Sequence, residues 1–177
     1  MQSALRSEGL LRPLVLTGGP AVGKSVTGRR LAQSRARAAF IDVDDIRQLV
    51  VAGAEAPWRE SEGTAQAALG AENACGLGRR FLAYGFDVVI ADVLTPSTAA
   101  IYRRHLPRCR IIHLLAGLDE AHRRARTRKV WLTDEEFTLL HRRDNVEPPA
   151  ADDRLSVGDL DIEQQVELVA HSWVADA

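Results

Sequence analysis

The sequence predicts an α/β fold of three layers, in which helices cover both faces of a five-stranded parallel sheet. Short apolar runs alternate with helix-compatible segments along most of the chain. The first apolar run leads directly into a glycine-rich loop, and two later runs end in aspartate. This alternation favours a parallel sheet, because each helix carries the chain back to the edge where the previous strand began.

Each predicted element has its own sequence signal. The predicted strands are short apolar runs at residues 14–17, 38–43, 86–91, 110–115 and 154–157. The predicted helices occupy residues 24–35, 45–51, 64–84 and 162–173. The longest of them keeps apolar residues at a roughly helical spacing and ends at Gly85, a residue type that commonly terminates helices. A further helix is predicted to start at Thr133, where Glu136 completes a capping box, and to carry Arg142 and Arg143 near its end.

Length and composition predict a single domain over residues 1–177, with residues 1–12 as an N-terminal tail. The chain is 46% hydrophobic and 27% charged, which is ordinary for a globular protein. A net charge of −1 is not typical of a nucleic-acid-binding protein. Cys75 and Cys109 are too few for a disulfide framework or a metal cluster, and no apolar run reaches membrane-spanning length. We therefore expect a cytoplasmic protein that neither enters a membrane nor binds nucleic acid.

The most specific motif is the GxxxxGK[ST] stretch that follows the first predicted strand. Its glycines let the backbone turn so that N–H groups face an anion, and the following helix directs its positive end to the same point. Lys24 would reach the β- and γ-phosphates of a nucleotide, and the Ser25 hydroxyl would bind Mg²⁺. Lysine is rare in this chain, since Lys24 and Lys129 are the two lysines among 23 basic residues. The alternative is a glycine turn without a ligand. The predicted nucleotide-binding residues of this stretch are Gly18, Gly19, Pro20, Ala21, Val22, Gly23, Lys24, Ser25 and Val26.

Asp92 directly follows the apolar run at residues 88–91. Four apolar residues and an acid form the Walker B pattern, in which the carboxylate binds Mg²⁺ directly or through water. Because ligands of open parallel sheets bind beyond the carboxyl ends of the strands, this position favours a metal-binding role. The alternative is an aspartate that caps the next helix, since Thr95-Pro96-Ser97 follows.

The second predicted strand leads into three more acids, Asp42, Asp44 and Asp45. Asp42 and Asp44 alternate along the strand, so we expect their side chains to point to opposite sides, one toward metal and the other toward substrate. A carboxylate beside an incoming hydroxyl can orient it and accept its proton during phosphoryl transfer. We assign this catalytic role to Asp44 and an N-cap role to Asp45, although either residue is a candidate for capping the following helix.

An arginine-rich segment at residues 122–133 follows the fourth predicted strand. Such a run is often a solvated helix face. Its position near the phosphate loop favours a lid, whose arginines would close over the nucleotide and neutralise charge on the transferred group. Arg124 and Arg128 are spaced to share one helix face, with Lys129 beside them. We predict that both arginines bind nucleotide and assist catalysis.

The crossover between the second and third predicted strands is more than forty residues long, where a minimal one needs about a dozen. The excess favours an acceptor-binding region, which we place at residues 44–64. The candidate acceptor-binding residues are Asp44, Arg47, Trp58 and Asn73. The last three also have structural alternatives: a surface arginine, a core tryptophan and a solvent-facing asparagine within a helix.

These residues resemble the P-loop small-molecule kinases of adenylate-kinase-like fold, and among them the chloramphenicol phosphotransferase-like proteins. The resemblance rests on the glycine-rich stretch, the acids ending at Asp44, Asp92 and the arginine-rich segment, and it covers about residues 12–173. It implies a P-loop NTPase core with a small lid. Residues 40–44 also look like the DxD segment of shikimate kinases, which implies that Asp42 assists Mg²⁺ and that Asp44 is the base. A Gly-Gly pair is missing after the third predicted strand, so shikimate itself is not supported as the acceptor.

The resulting prediction is a phosphotransferase that uses Mg²⁺ and ATP, or GTP, to phosphorylate a hydroxyl of a small molecule such as an antibiotic, a nucleoside-like or a sugar-like metabolite. A zeta-toxin-like nucleotide-sugar kinase or a polynucleotide 5′-hydroxyl kinase is the alternative with a similar core. A non-catalytic nucleotide-binding regulator is a third interpretation, although the NKxD and DxxG motifs of a GTPase are missing from the sequence. The sequence leaves open the identity of the acceptor and whether the chain forms a homodimer.

Overall fold

A computed structural model describes residues 11–59, 61–126 and 132–175. Its strands are β1 (Leu14–Thr17), β2 (Ala38–Asp42), β3 (Asp87–Ala91), β4 (Arg110–Leu115) and β5 (Asp153–Ser156). They form one sheet in the order β2-β3-β1-β4-β5, and every neighbouring pair is parallel. The predicted five-stranded parallel sheet is therefore confirmed, with each strand end within one residue of its predicted place.

Seven helices lie in the described part of the chain. They are α1 (Lys24–Gln33), α2 (Val43–Arg47), α3 (Ser61–Ala83), α4 (Pro96–His105), α5 (Leu118–Ala125), α6 (Asp134–Val146) and α7 (Ile162–Val174). The capping box predicted at Thr133 and Glu136 is present, and Gly85 follows α3 with a positive φ of 76°. α4 was expected only as a helix without bounds after Asp92, although its capping box at Thr95 and the proline at its first position are start signals that the sequence carries.

The sheet separates two apolar layers, because successive side chains of a strand point to opposite faces. On one face, Val15 and Ile90 pack with buried residues of α3 and α4 such as Tyr102. On the other face, Leu16 packs with buried residues of α1 and α7 such as Trp173. The central strands are buried on both faces and therefore consist of nearly continuous apolar runs. Helices on both faces of the sheet make the predicted three layers.

The carboxyl ends of the parallel strands lie at one edge of the sheet and collect the candidate site residues. The glycine-rich loop follows β1, α2 follows β2, and Asp92 follows β3. The N–H of Asp92 donates to the carbonyl of Leu16 at 3.0 Å, which fixes the end of β3 beside the start of the loop. Within the described residues, no helix is both long enough and apolar enough to cross a bilayer.

Candidate functional site

The loop between β1 and α1 adopts backbone dihedral angles that glycine reaches without steric strain. Gly18 has a φ of 141° and Gly23 a φ of 96°, and both values lie in a region that L side chains rarely adopt. A Cβ on Gly18 would lie 2.3 Å from the carbonyl oxygen of Leu114, and one on Gly23 would lie 2.8 Å from Nε2 of Gln165. The loop therefore keeps its shape because two of its positions carry no side chain.

The side chain of Lys24 lies across this loop. Its ammonium Nζ donates to the carbonyls of Gly18 and Gly19, each at 2.8 Å. Ser25 lies in the first turn of α1, whose N-cap residue supplies no side-chain hydrogen bond to the N–H groups of that turn. A compact cation and backbone donors at a helix N-terminus are suited to phosphate, so the residues present fit the nucleotide that the motif implies.

Gln165 of α7 supports the loop from behind, a contact that sequence reasoning missed. Its side-chain amide donates to the carbonyl of Val22 at 3.0 Å and to Oγ1 of Thr27 at 2.9 Å. A signal was available in the sequence, because Gln165 stands on the buried stripe of α7 with Val169 and Trp173, each four residues apart. A polar residue on a buried stripe requires hydrogen-bond partners.

Arg124 lies against the segment that follows β5, where it is held by several acceptors. Its Nη2 donates to the carbonyls of Val157 at 2.7 Å and of Gly158 at 3.1 Å. Its Nε donates to Glu120 at 2.6 Å, and the hydrogen bonds from Arg124 and Arg123 hold the pKa of Glu120 below its usual range. Arg124 therefore fastens α5 to the core, and its predicted contact with nucleotide stays a prediction. Arg128 and the rest of residues 127–131, the middle of the predicted lid, lie outside the described residues.

The predicted geometry of the acids after β2 is wrong in one respect. The strand ends at Asp42, and α2 starts at Val43, so Asp42 and Asp44 do not alternate along a strand. Asp42 is the N-cap of α2, and its carboxylate accepts from the N–H of Asp44 at 3.2 Å. The capping role predicted for Asp45 is therefore wrong, because the preferred aspartate N-cap comes three residues earlier. Asp44 lies in the first turn, where the helix dipole stabilises its charge, and 72% of its side chain is exposed.

Arg47 joins two of the candidate carboxylates. Its Nη1 donates to Asp44 at 2.8 Å, and its Nη2 donates to Asp92 at 2.6 Å. Arg47 was predicted to bind the acceptor; in the structure its guanidinium bridges Asp44, the candidate base, to Asp92. The interaction links α2 to the end of β3, which lies 45 residues along the chain.

Asp92 is buried, and both of its oxygens accept hydrogen bonds. Oδ1 accepts from Arg47 and from the N–H of Val93, while Oδ2 accepts from the Tyr102 hydroxyl at 2.9 Å. The alternative that Asp92 caps the next helix is wrong, because Thr95 is the N-cap of α4. Its predicted role toward Mg²⁺ stays a prediction, since protein donors hold the carboxylate.

The charges of this network depend on one another. Burial raises the pKa of Asp92, and the positive charge and hydrogen bonds of Arg47, together with the Tyr102 hydroxyl, oppose that rise. Burial by itself would lower the pKa of Arg47, but the carboxylates of Asp92 and Asp44 outweigh it and raise that pKa. Arg47 thus keeps its charge, and that charge is shared between two carboxylates.

A cavity of about 410 Å³ adjoins Arg47 between α2, the following loop and α3. Asn73 lines it together with Arg47, so these two predicted acceptor residues are brought together. Trp58 is half-buried and is not among the described residues that line the cavity. Gln66, which sequence reasoning missed, shapes one wall: its amide donates to the carbonyl of Gly53 at 2.7 Å and accepts from the N–H of Glu55 at 2.9 Å.

α6 is fixed beside the glycine-rich loop by buried polar groups. Nε2 of His113 lies 2.9 Å from Oδ2 of Asp144, and Nε2 of His141 lies 2.9 Å from the carbonyl oxygen of Ala116. A Cβ on Gly19 would lie 3.6 Å from Oδ2 of Asp144. The sequence signal is a histidine within the apolar run of β4, a position where a buried ring needs a partner.

A cluster of three or more carboxylate, imidazole or thiol groups arranged for a metal ion is not found within residues 11–59, 61–126 and 132–175. Mg²⁺ in phosphoryl-transfer enzymes needs fewer protein ligands, because it keeps waters and binds the substrate phosphates as well. Ser25 at the start of α1 and Asp42 at the end of β2 are suitable oxygen ligands of this kind. The residues present are therefore compatible with a magnesium ion that binds together with nucleotide.

No protein-family model and no curated protein matches this chain. Among solved structures, it is similar to a sugar kinase from Janibacter sp., with a TM-score of 0.66 and 15% identity over 94% of this chain and 96% of that one. It is also similar to shikimate kinase from Bacteroides thetaiotaomicron, with a TM-score of 0.65 and 17% identity over 92% and 98%. A tunicamycin resistance protein from Deinococcus radiodurans gives a TM-score of 0.59 and 14% identity over 90% and 94%. At these identities the likeness is one of fold, and the chain has the P-loop NTPase fold of the sugar and shikimate kinases.

Proposed function

We propose that this chain is a phosphotransferase that uses ATP and Mg²⁺ to phosphorylate a hydroxyl group of a small molecule. One observation carries the proposal. The Lys24 loop and the helix of Asp44 follow β1 and β2, the two strands that flank β3, at the same edge of the sheet, and Arg47, which pairs with Asp44, lines a cavity. Phosphoryl transfer to a hydroxyl requires a loop that binds phosphate, a carboxylate that accepts the proton and a cavity that holds the acceptor. Similarity to a sugar kinase, a shikimate kinase and a tunicamycin resistance protein supports the same class of reaction.

The proposed roles follow from the contacts of each group. Backbone N–H groups of the loop and Lys24 hold the phosphates and stabilise charge on the transferred group. Ser25 and Asp42 would hold Mg²⁺, with Asp92 as a further candidate ligand, and the ion would neutralise charge on the phosphates when bound. GTP in place of ATP is compatible with the same loop, which would contact the phosphates and not the base.

Asp44 is the proposed base. Its carboxylate is exposed, so an acceptor hydroxyl can reach it, and Arg47 holds one of its oxygens at 2.8 Å. A carboxylate oriented in this way can accept a hydrogen bond from the hydroxyl and take its proton as the O–P bond forms. Arg124 and Arg128 remain the proposed lid residues, with Arg124 anchoring α5 to the core.

The proposal is tested by a screen for ADP release over antibiotics, nucleosides and sugars, followed by phosphorus NMR of the product. Asp44→Asn should keep nucleotide affinity and lower turnover by about 10² to 10⁴-fold, since it removes the base. Asp45→Asn is the matched control, because Asp45 is also an exposed acid in the first turn of α2.

Two outcomes would contradict the proposal. Full turnover by Asp44→Asn would remove this residue from the role of base. Tight ATP binding without ADP release on any acceptor would favour the non-catalytic regulator, whereas transfer to a nucleotide sugar or to a polynucleotide would favour the alternatives with larger acceptors.

A further inference from the structure

We propose that the acceptor is an alcohol without negative charge, either uncharged or carrying an amine. This inference rests on the proposed function and names the substrate class of the same site. Its basis is the charge balance around the cavity between α2 and α3, where the one basic residue among the described lining residues is Arg47.

The positive charge of Arg47 is already neutralised within the protein. Its two terminal nitrogens contact Asp44 and Asp92 at 2.8 and 2.6 Å, and the side chain of Asp92 is fully buried. A carboxylate or phosphate on the acceptor would have to compete with these two carboxylates for the same guanidinium. It would also lie close to their negative charges, and charges of the same sign at such short distances repel each other.

The other described side chains of the cavity supply no second counter-charge. Gln48, Gln66 and Asn73 are uncharged, and Glu55 is acidic. The nearby Arg59 is 68% exposed and lies 4.0 Å from Glu55, which is a weak surface pair that leaves no net positive charge at the cavity. An amine on the acceptor would instead meet an acidic surrounding.

The remaining walls favour an acceptor with an apolar face. Ile46, Val50, Ala54 and Leu69 line the cavity, and its volume of about 410 Å³ is in the range of small-molecule sites. The amide of Asn73 can bind hydroxyls of an uncharged molecule without a cost for burying a net charge. Sugar acids, nucleotide sugars and polynucleotides all carry a negative charge and are therefore disfavoured.

The first test compares matched acceptors in the ADP-release assay. Glucuronamide with glucuronate and gluconamide with gluconate keep the same hydroxyls and differ chiefly in the added negative charge. We expect the uncharged member of any pair that reacts to have a kcat/KM at least about tenfold higher. An anionic member that matches or exceeds its uncharged partner would overturn the inference.

The second test does not depend on turnover, so it separates this inference from the proposed function. The Nε–H of Arg47 has no hydrogen-bond partner among the described residues, and its NMR resonance, assigned by its loss in Arg47→Lys, reports on anions that approach the guanidinium. Titration with acetate should give no saturable shift in the unmodified protein. Asp92→Asn and Asp44→Asn should each gain a saturable shift, because each frees part of the positive charge.

The results have separate meanings. Failure of every pair to release ADP would refute the proposed kinase activity, and the acetate titration would still decide the charge of the site. A saturable shift in the unmodified protein would overturn the inference. Lack of acetate binding in both variants would overturn it as well, since the two carboxylates would then not be what excludes an anion. Asp44→Asn removes the exposed partner of Arg47 and keeps its buried partner, Asp92. The acetate titration can therefore be made on Asp44→Asn if Asp92→Asn does not fold.

Discussion

The glycine-rich loop and the cavity beside Arg47 lie at the same edge of the sheet, but they are built in different ways. The loop is one continuous stretch whose shape comes from backbone dihedral angles, with Gly18 and Gly23 at positive φ. The cavity depends on side chains from α2, the following loop and α3, and on a charge network that reaches Asp92 after β3 and Tyr102 on α4. The proposed phosphate site is thus local in the chain, whereas the proposed acceptor site depends on a balance of charges between distant segments.

The largest effect is expected from Lys24→Ala, which removes the cation of the loop and leaves its backbone intact. Phosphoryl transfer should fall by on the order of 10³-fold, the loss seen when a preorganised charge-stabilising group is removed. The free energy of unfolding should change by about 1 kcal/mol or less, since the hydrogen bonds from Lys24 to the Gly18 and Gly19 carbonyls are only partly buried. Steady-state kinetics and urea unfolding measure the two quantities.

Arg30→Ala is the control for that experiment, because Arg30 is an exposed cation of the same helix that pairs with Glu163. It should retain activity. If Lys24→Ala kept more than about a tenth of the activity, the loop would not be the catalytic phosphate site described above.

Arg47→Met should lower the free energy of unfolding, whereas the main effect of Lys24→Ala is on catalysis. Removal of Arg47 leaves the buried Asp92 without its cation, which costs about 3 kcal/mol in similar buried pairs. Urea unfolding at neutral pH measures this cost. Asp44→Asn, which removes the exposed partner, should cost much less, and a comparable loss in that variant would show that burial does not decide the energetics of the network.

The same variant should change the pH dependence of stability. Burial already raises the pKa of Asp92, and loss of Arg47 removes the main influence that opposes the rise. The folded variant then binds a proton more tightly than the unfolded chain, so its stability is greatest at acid pH and falls as pH increases above the usual aspartate range. The deficit relative to the unmodified protein should therefore be smaller near about pH 5 than near about pH 8. A deficit that is constant across this range would contradict the role given to Asp92.

Two glycines are expected to respond to alanine in opposite directions. Gly18→Ala should destabilise the fold by about 2 kcal/mol and abolish nucleotide binding, because its Cβ would overlap the Leu114 carbonyl. Gly76→Ala is the matched control, since Gly76 lies within α3 and a Cβ there meets open space. It should stabilise by about 0.5 to 1 kcal/mol. Thermal unfolding and nucleotide titration compare the two, and equal behaviour would show that the loop backbone is not under the constraint described.

Local signals explain most of what the sequence predicted about the fold. The capping box at Thr133 and the glycine after α3 are decided by neighbouring residues, and both are confirmed. The N-cap at Asp42 was misplaced because a strand end and a helix start compete over the same few acids. Arg47 lines the cavity, and its role toward an acceptor stays a prediction. Its partner Asp92 lies far along the chain, and no local pattern indicates that pairing.

The sequence by itself determined the parallel sheet and the glycine-rich phosphate loop, because strand burial, loop dihedral angles and helix starts depend on residues a few positions apart. The tertiary structure decided the pairing of Arg47 with Asp92, the support of the loop by Gln165 and the anchoring of Arg124. Each of these contacts joins residues that lie 33 to 143 positions apart in the chain, and many partners are compatible with the same local pattern. The physical reason is that a buried charge or amide must find a partner, and only the packed fold determines which one is within reach.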